Sequence, residues 1–380
     1  MTARLGRVAL AALAAFVLAG CAGATAAPAA AGATPNERYL AYVVSESADR
    51  VARIRFGADG ARVERSFEIG TRPTEIDGPH GVAASPDGRY VYVTIGHGTP
   101  WGSLWKITTS NDSVVSRVTL GDFPATVDVS PDGQYGFVSN FNLHGDMVPS
   151  SISKVHLPTM AEVARTVTCV MPHGSRVNAQ GTLQYSACMM DDQLVEIDAG
   201  TGHVARRFSV APGREGPAGA THAGHTMPAG SAAKVCSPTW AQPSADGSRV
   251  YVACNRTAEV LEVDARSWAL LRRFATGEAP YNLAATPDGR YLLVTLKNRA
   301  EPGTELIDLA AGRTVSRIPA TTVLPHGVAV TPDSRFAVVS VEGVGSEPGR
   351  VDVLDLRSLR RVGSVEVGQQ AGGIAVVAER

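Results

Sequence analysis

The chain has 380 residues, with 35 Lys and Arg against 36 Asp and Glu, a formal net charge of −1, and 44 % hydrophobic residues. That apolar content excludes global disorder. The near-zero charge excludes the basic footprint that a nucleic-acid partner requires, and any long-range steering of a charged substrate.

The first segment reads as an export signal. Arg4 and Arg7 make a positive start, and Val8 to Ala19 is an apolar run. That run is shorter than the roughly 20 residues a spanning helix needs. It ends Leu18-Ala19-Gly20-Cys21, which resembles a bacterial lipobox. The resemblance implies a signal peptide over 1–20, a diacylated Cys21, and membrane contact through that lipid alone. Residues 22–35 are only Ala, Gly, Thr and Pro, so 21–35 reads as a flexible tether. The expected location is the periplasmic or extracellular face of a membrane.

From residue 36 onward the chain repeats. One phrase runs Gly78-Pro79-His80-Gly81-Val82-Ala83-Ala84-Ser85-Pro86-Asp87-Gly88-Arg89-Tyr90-Val91-Tyr92-Val93. Its proline returns at Pro124, Pro172, Pro238, Pro280 and Pro325, at gaps of 45, 48, 66, 42 and 45. A further copy is split between the ends, with Ala371 to Val376 matching its first half and Glu37 to Val44 its second. Each unit reads as four strands. A short apolar run meets a Ser-Pro-Asp-Gly turn, in which Pro presets φ and Gly permits positive φ. A β-branched and aromatic strand follows, Tyr90 to Ile95, then two more at Leu104 to Ile107 and Val114 to Leu120. No stretch sustains a 3.6-residue period. Four-stranded units of about 45 residues predict an all-β fold, a seven-bladed β-propeller over 36–380 closed by pairing of the N- and C-terminal strands.

Ser85-Pro86-Asp87-Gly88-Arg89-Tyr90-Val91-Tyr92-Val93-Thr94 resembles the YVTN-type repeat of YncE-like and surface-layer-like propellers. Thr286 to Val294 and Thr331 to Phe336 repeat it. The resemblance covers nearly the whole mature chain and implies the fold; propellers host many activities. By fold analogy the Pro-Asp-Gly turns lie at the bottom face. The loops after each second strand and the connections between blades lie at the top.

Four cysteines remain besides Cys21, and an even count in an exported chain predicts two disulfides. No CxxC pair is present to suggest a zinc site of four cysteines. Cys188 and Cys254 each lie seven residues after the turn glycines Gly181 and Gly247, while Cys169 and Cys236 lie three and two residues before Pro172 and Pro238. The expected bonds are Cys169–Cys188 and Cys236–Cys254, each bracketing the hairpin of one blade's first two strands.

Of nine histidines, His80, His173 and His326 occupy one repeat position, in Pro-His-Gly. Fold analogy places them at the upper mouth of the central channel. His97 and His144 fall on top-face loops, and the long insertion carries Thr221-His222-Ala223-Gly224-His225-Thr226-Met227. Imidazole is the commonest protein metal ligand and thioether favours copper(I). His80, His173, His326, His222, His225 and Met227 are therefore the candidate ligands for copper or zinc. The opposing interpretation makes the Pro-His-Gly histidines packing residues at blade junctions. His97, His144, Trp101, Trp240 and Tyr281 are the candidate contacts for a small-molecule or protein ligand on the same face. Asp128 and Arg176 share one repeat slot and read as a pair across a blade interface; Glu46 and Glu342 lie on top-face loops.

Two functional classes remain open. One is a lipid-anchored binding protein of the cell envelope. The other is an enzyme with its site in the same mouth, either a copper-dependent oxidoreductase or a lactonase-like hydrolase. No phosphate-binding glycine loop, GxSxG elbow or HExxH motif is present.

Overall fold

The computed structural model describes residues 39–71, 74–97, 101–219 and 235–378. Its sheets are built on one local device, the Ser/Thr-Pro-Asp turn. Ser85 Oγ donates to Asp87 Oδ1 at 2.6 Å and accepts the Tyr90 amide at 2.9 Å. Asp87 Oδ1 takes the Arg89 amide at 3.1 Å, and Gly88 closes the turn at φ 70°. The two side chains satisfy backbone donors that the hairpin leaves unpaired. Ser130–Asp132, Ser244–Asp246, Thr286–Asp288 and Thr331–Asp333 repeat the arrangement.

The result is an all-β, propeller-like assembly. Five sheets have four strands each, and a sixth has nine. The nine-stranded sheet joins the set that begins with Pro172–Val177 to the set that begins with Pro238–Pro243. A single parallel bridge, Gly174 to Trp240, links them, and Gly216–Ala218 adds an edge strand. Among the described residues the only helical element is the one-turn Glu46–Ala48.

The first strand of each set packs around a common axis. Pro79–Ala84 touches Pro124–Val129, which touches Pro172–Val177, and the order continues through Pro238–Pro243, Pro280–Ala285 and Pro325–Val330 to Ala371–Val377. That last strand packs back against Pro79–Ala84. It also pairs with Tyr39–Ser45, placing Leu40 opposite Val377 and Tyr42 opposite Ala375. The two chain ends therefore share one sheet, as the split repeat requires, and Tyr39–Ser45 is paired on both sides.

The core lies between adjacent sheets. Tyr42 and Val44 of the closing sheet pack with Val91, Val93 and Ile95 of the next. The outermost strands alternate exposed and half-buried positions, as in Ser113–Thr119.

Cys169–Cys188 and Cys236–Cys254 are bonded, the pairing expected from the repeat positions. Two disulfides match an oxidising compartment, periplasmic or extracellular. No helix among the described residues is long and apolar enough to cross a membrane. The lipobox with Cys21, the signal peptide and the tether lie outside the described residues.

Removing one bridge by Cys169→Ser with Cys188→Ser should lower the unfolding free energy by about 3 kcal/mol in the chain-entropy picture. Denaturant midpoints with and without reductant check this. An unchanged midpoint would mean that the hairpin is equally constrained without the bond.

Candidate functional site at the axial mouth

Each inner strand is entered through a left-handed residue: Gly78, Phe123, Met171, Ser237, Ala279, Leu324 and Gln370 have φ between 45° and 63°. Six of these are not glycine, and such positions are costly unless their surroundings enforce them. The kink turns the chain sharply into the axis. The next residue is proline in all but the last of these strands, where no inter-strand donor is needed. His80, His173 and His326 follow.

The structure brings these three together. The His80 ring lies 5.5 Å from His326 and 6.4 Å from His173, centroid to centroid. Tyr281, from the same repeat slot, packs 4.8 Å from His326 and 5.4 Å from His173. His173 donates from Nδ1 to the Thr239 carbonyl at 2.9 Å, so Nε2 is left to accept from the Tyr281 hydroxyl at 3.2 Å. Burial pushes the His173 pKa down to about 3 and that of His326 well below the ordinary histidine value. Both rings are neutral at physiological pH, the form that binds metal. Even so, no group of three or more His, Cys, Asp or Glu among the described residues stands as a ready-made metal cage.

Two carboxylates flank the imidazoles. Glu46 accepts from His80 Nδ1 (2.9 Å), His97 Nε2 (2.8 Å) and Gln370 Nε2 (2.9 Å). Burial raises the Glu46 pKa, but His80 and His97 outweigh it and hold the group far below the usual carboxylate range. In return, the hydrogen bond to Glu46 lifts His97 above the ordinary histidine value. His97 Nδ1 lies 3.0 Å from Nε2 of the exposed His144, and Phe123 packs against both rings. On the other side, Lys297 Nζ binds Glu342 at 2.7 Å and sits 4.4 Å over the Tyr281 ring. Burial disfavours the Lys297 charge, but Tyr281 and Glu342 outweigh it and raise its pKa. Glu342 also stands 3.8 Å from His326 Nε2.

The other expected contacts divide. Trp240 is buried on the axis and packs 5.9 Å from His173. Trp101 is 56 % exposed. His222, His225 and Met227 lie outside the described residues. Asp128 and Arg176 form no ion pair among the described residues: Asp128 accepts the Val177 amide at 2.8 Å, and Arg176 donates to the Ser175 carbonyl at 3.0 Å.

Lys297 and Gln370 are site residues that no motif announces. The register does offer a signal for Lys297. Pro280 lies opposite Leu296 as Pro325 lies opposite Val341, so Lys297 fills the same slot as Glu342. Ala371 opposite Ser45 puts Glu46 there as well.

Two larger grooves, of about 470 and 360 Å³, lie at the opposite ends of the inner strands, between successive turns. Their acidic residues Asp246, Asp288 and Asp87 are already hydrogen-bonded within their own turns, so these grooves lack convergent free chemistry.

No family model matches the chain. Over 94 residues it is 34 % identical to antigen Lp49 of Leptospira interrogans, a match covering 22 % of this chain and 19 % of that protein. Two solved structures resemble it. Hydrazine synthase of Kuenenia stuttgartiensis aligns at TM-score 0.59 and 21 % identity, over 76 % of this chain and 80 % of that one. A functionally unknown protein of Desulfotomaculum acetoxidans aligns at TM-score 0.69 and 15 % identity, over 90 % and 99 %. At these identities the likeness establishes the propeller fold.

The neutral buried histidines carry a pH signature. An unfolded histidine protonates near its ordinary value of about 6.5, whereas folded His173 resists down to about 3. The unfolded state thus binds the extra proton in that window, and metal-free protein loses stability as pH falls through it, by roughly 2 kcal/mol for His173 near pH 5. Urea titrations across that range should show the slope, reduced in His173→Gln.

Proposed function

We propose that this protein is an exported seven-bladed propeller, anchored to the cell envelope by lipid on Cys21, that binds a copper or zinc ion between His80, His173 and His326. The blade count takes the nine-stranded sheet as two blades, a reading supported by its single Gly174–Trp240 bridge and by the cyclic packing of the inner strands. The Ser-Pro-Asp-Gly-Arg-Tyr-Val-Tyr-Val stretch supports a YVTN-type, YncE-like affiliation. The lipobox supports the anchor.

One observation carries the binding reading. Three imidazoles from three separate strands converge on one axis, with His80 and His173 each held at Nδ1 by an acceptor, Glu46 and the Thr239 carbonyl. Such partners fix the tautomer and ring orientation of a metal-binding histidine. They leave His80 Nε2 for the ion, while His173 Nε2 would exchange the Tyr281 hydroxyl for it. Neutral imidazole suits copper and zinc. The chain's own residues would hold the ion, with Tyr281 beside it. A bound ion would supply Lewis-acid or redox chemistry.

The Tyr281 hydroxyl on His173, under the Lys297 ammonium, favours a second reading. In it the same mouth is an enzyme site, for a copper-dependent oxidation or a lactonase-like hydrolysis, and Tyr281 holds the mobile proton.

The test is the metal content of residues 36–380, exported to an oxidising compartment and purified without a His-tag or chelator. About one copper or zinc per chain is expected, lost in the combined His80→Ala, His173→Ala and His326→Ala variant while its circular dichroism stays that of the parent. No metal after reconstitution, with the triple variant folded, rules the ion out. The mouth would then be a site for an organic or protein ligand.

A further inference from the structure

Beside the histidine layer lies a partly open chamber of about 20 Å³, room for one water-sized guest. Trp240, Asn282 and Arg176 line it, beside the edges of His80 and His326. Trp240 and Asn282 are only 4 % and 3 % exposed, yet Trp240 Nε1 and Asn282 Oδ1 have no hydrogen-bond partner. Buried polar atoms are seldom left in that condition, because each costs about 1–3 kcal/mol.

The third group is a cation. Arg176 stacks over the Trp240 ring at 4.6 Å and commits one N–H to the Ser175 carbonyl. The nearby carboxylate of Asp128 is turned to the Val177 amide and makes no ion pair with the guanidinium among the described residues. Burial weakens both charges, raising the pKa of Asp128 and lowering that of Arg176. The guanidinium lines the chamber beside an indole N–H without an acceptor, and Asp128 is the charge that opposes it. A side-chain amide that turns about its last torsion adds further N–H donors.

We propose that this chamber binds one monatomic anion, chloride or a heavier halide, between the Arg176 guanidinium, Trp240 Nε1 and the Asn282 side chain. Charge-assisted donors converging in a partly buried space are the chemistry of an anion site. The small volume favours a monatomic ion over sulfate or phosphate.

The experiment uses the mature chain in sodium gluconate, replaced stepwise by sodium chloride or bromide at constant ionic strength. A saturable rise of the thermal midpoint is expected with both halides, together with an anomalous bromide peak in the chamber of a soaked crystal. W240F keeps the ring and removes the N–H, and should weaken the halide by about tenfold. Arg176→Gln should weaken it further if that variant folds; W240F decides the matter if it does not. A midpoint that follows ionic strength alone overturns the proposal. So does a water in the chamber of the bromide-soaked crystal, or a halide response unchanged in W240F.

Discussion

The closeness of the inner strands at the axis governs the rest of the structure. A Cβ added at Gly81 would meet the Ala125 carbonyl at 2.6 Å, one at Gly327 the Gly372 carbonyl at 2.8 Å, and one at Gly373 the His80 carbonyl at 2.7 Å. At those crossings only glycine fits. Pro-His-Gly thereby acquires a physical meaning: proline starts a strand that needs no donor, glycine lets the neighbour approach, and histidine takes the mouth. The same slot elsewhere holds Thr126, Trp240 or Asn282. Thr126 meets its obligation by donating to the His173 carbonyl at 2.8 Å. Trp240 and Asn282 border the chamber instead. Ring closure thus produces both the cluster of imidazoles and the polar space beside them.

Depth sorts the histidines by charge. His173 and His326, deep on the axis, lose the ability to protonate because burial penalises the cation. His97, at the rim, gains it because Glu46 reaches it directly. The site therefore has a neutral floor of imidazole nitrogens and a rim whose charge responds to pH. Glu46 and Glu342 stand on opposite sides, each paired, so neither exposes a bare negative charge to the mouth. The likeness to solved propellers extends to the scaffold; the chemistry belongs to side chains that this chain adds at the strand entries.

Much of the scaffold was legible beforehand because its causes are local. The Ser-Pro-Asp-Gly turns state where hairpins fold, and the spacing between them states how many strands lie between. The split repeat required the terminal strands to pair, and Tyr39–Ser45 does pair with Ala371–Val377. The disulfide partners followed from repeat slots, since cysteines at matching heights on one hairpin face each other. Within the site, His80, His173 and His326 stood out because a rare residue recurred at one slot. Lys297 and Gln370 escaped notice, being one of a kind at their positions.

By itself the sequence determined the all-β class, the repeating four-stranded unit, the end-to-end closure and the two sulfur pairings. Each is written in short-range turn chemistry or in a periodic position. Tertiary structure alone decided that Glu46, His97, His144 and Gln370 form one network, that Arg176 stacks on Trp240, and that a small chamber lies beside the histidines. Those contacts join residues far apart in the sequence. Their geometry depends on how tightly the ring closes, a property of the whole assembly that no single repeat contains.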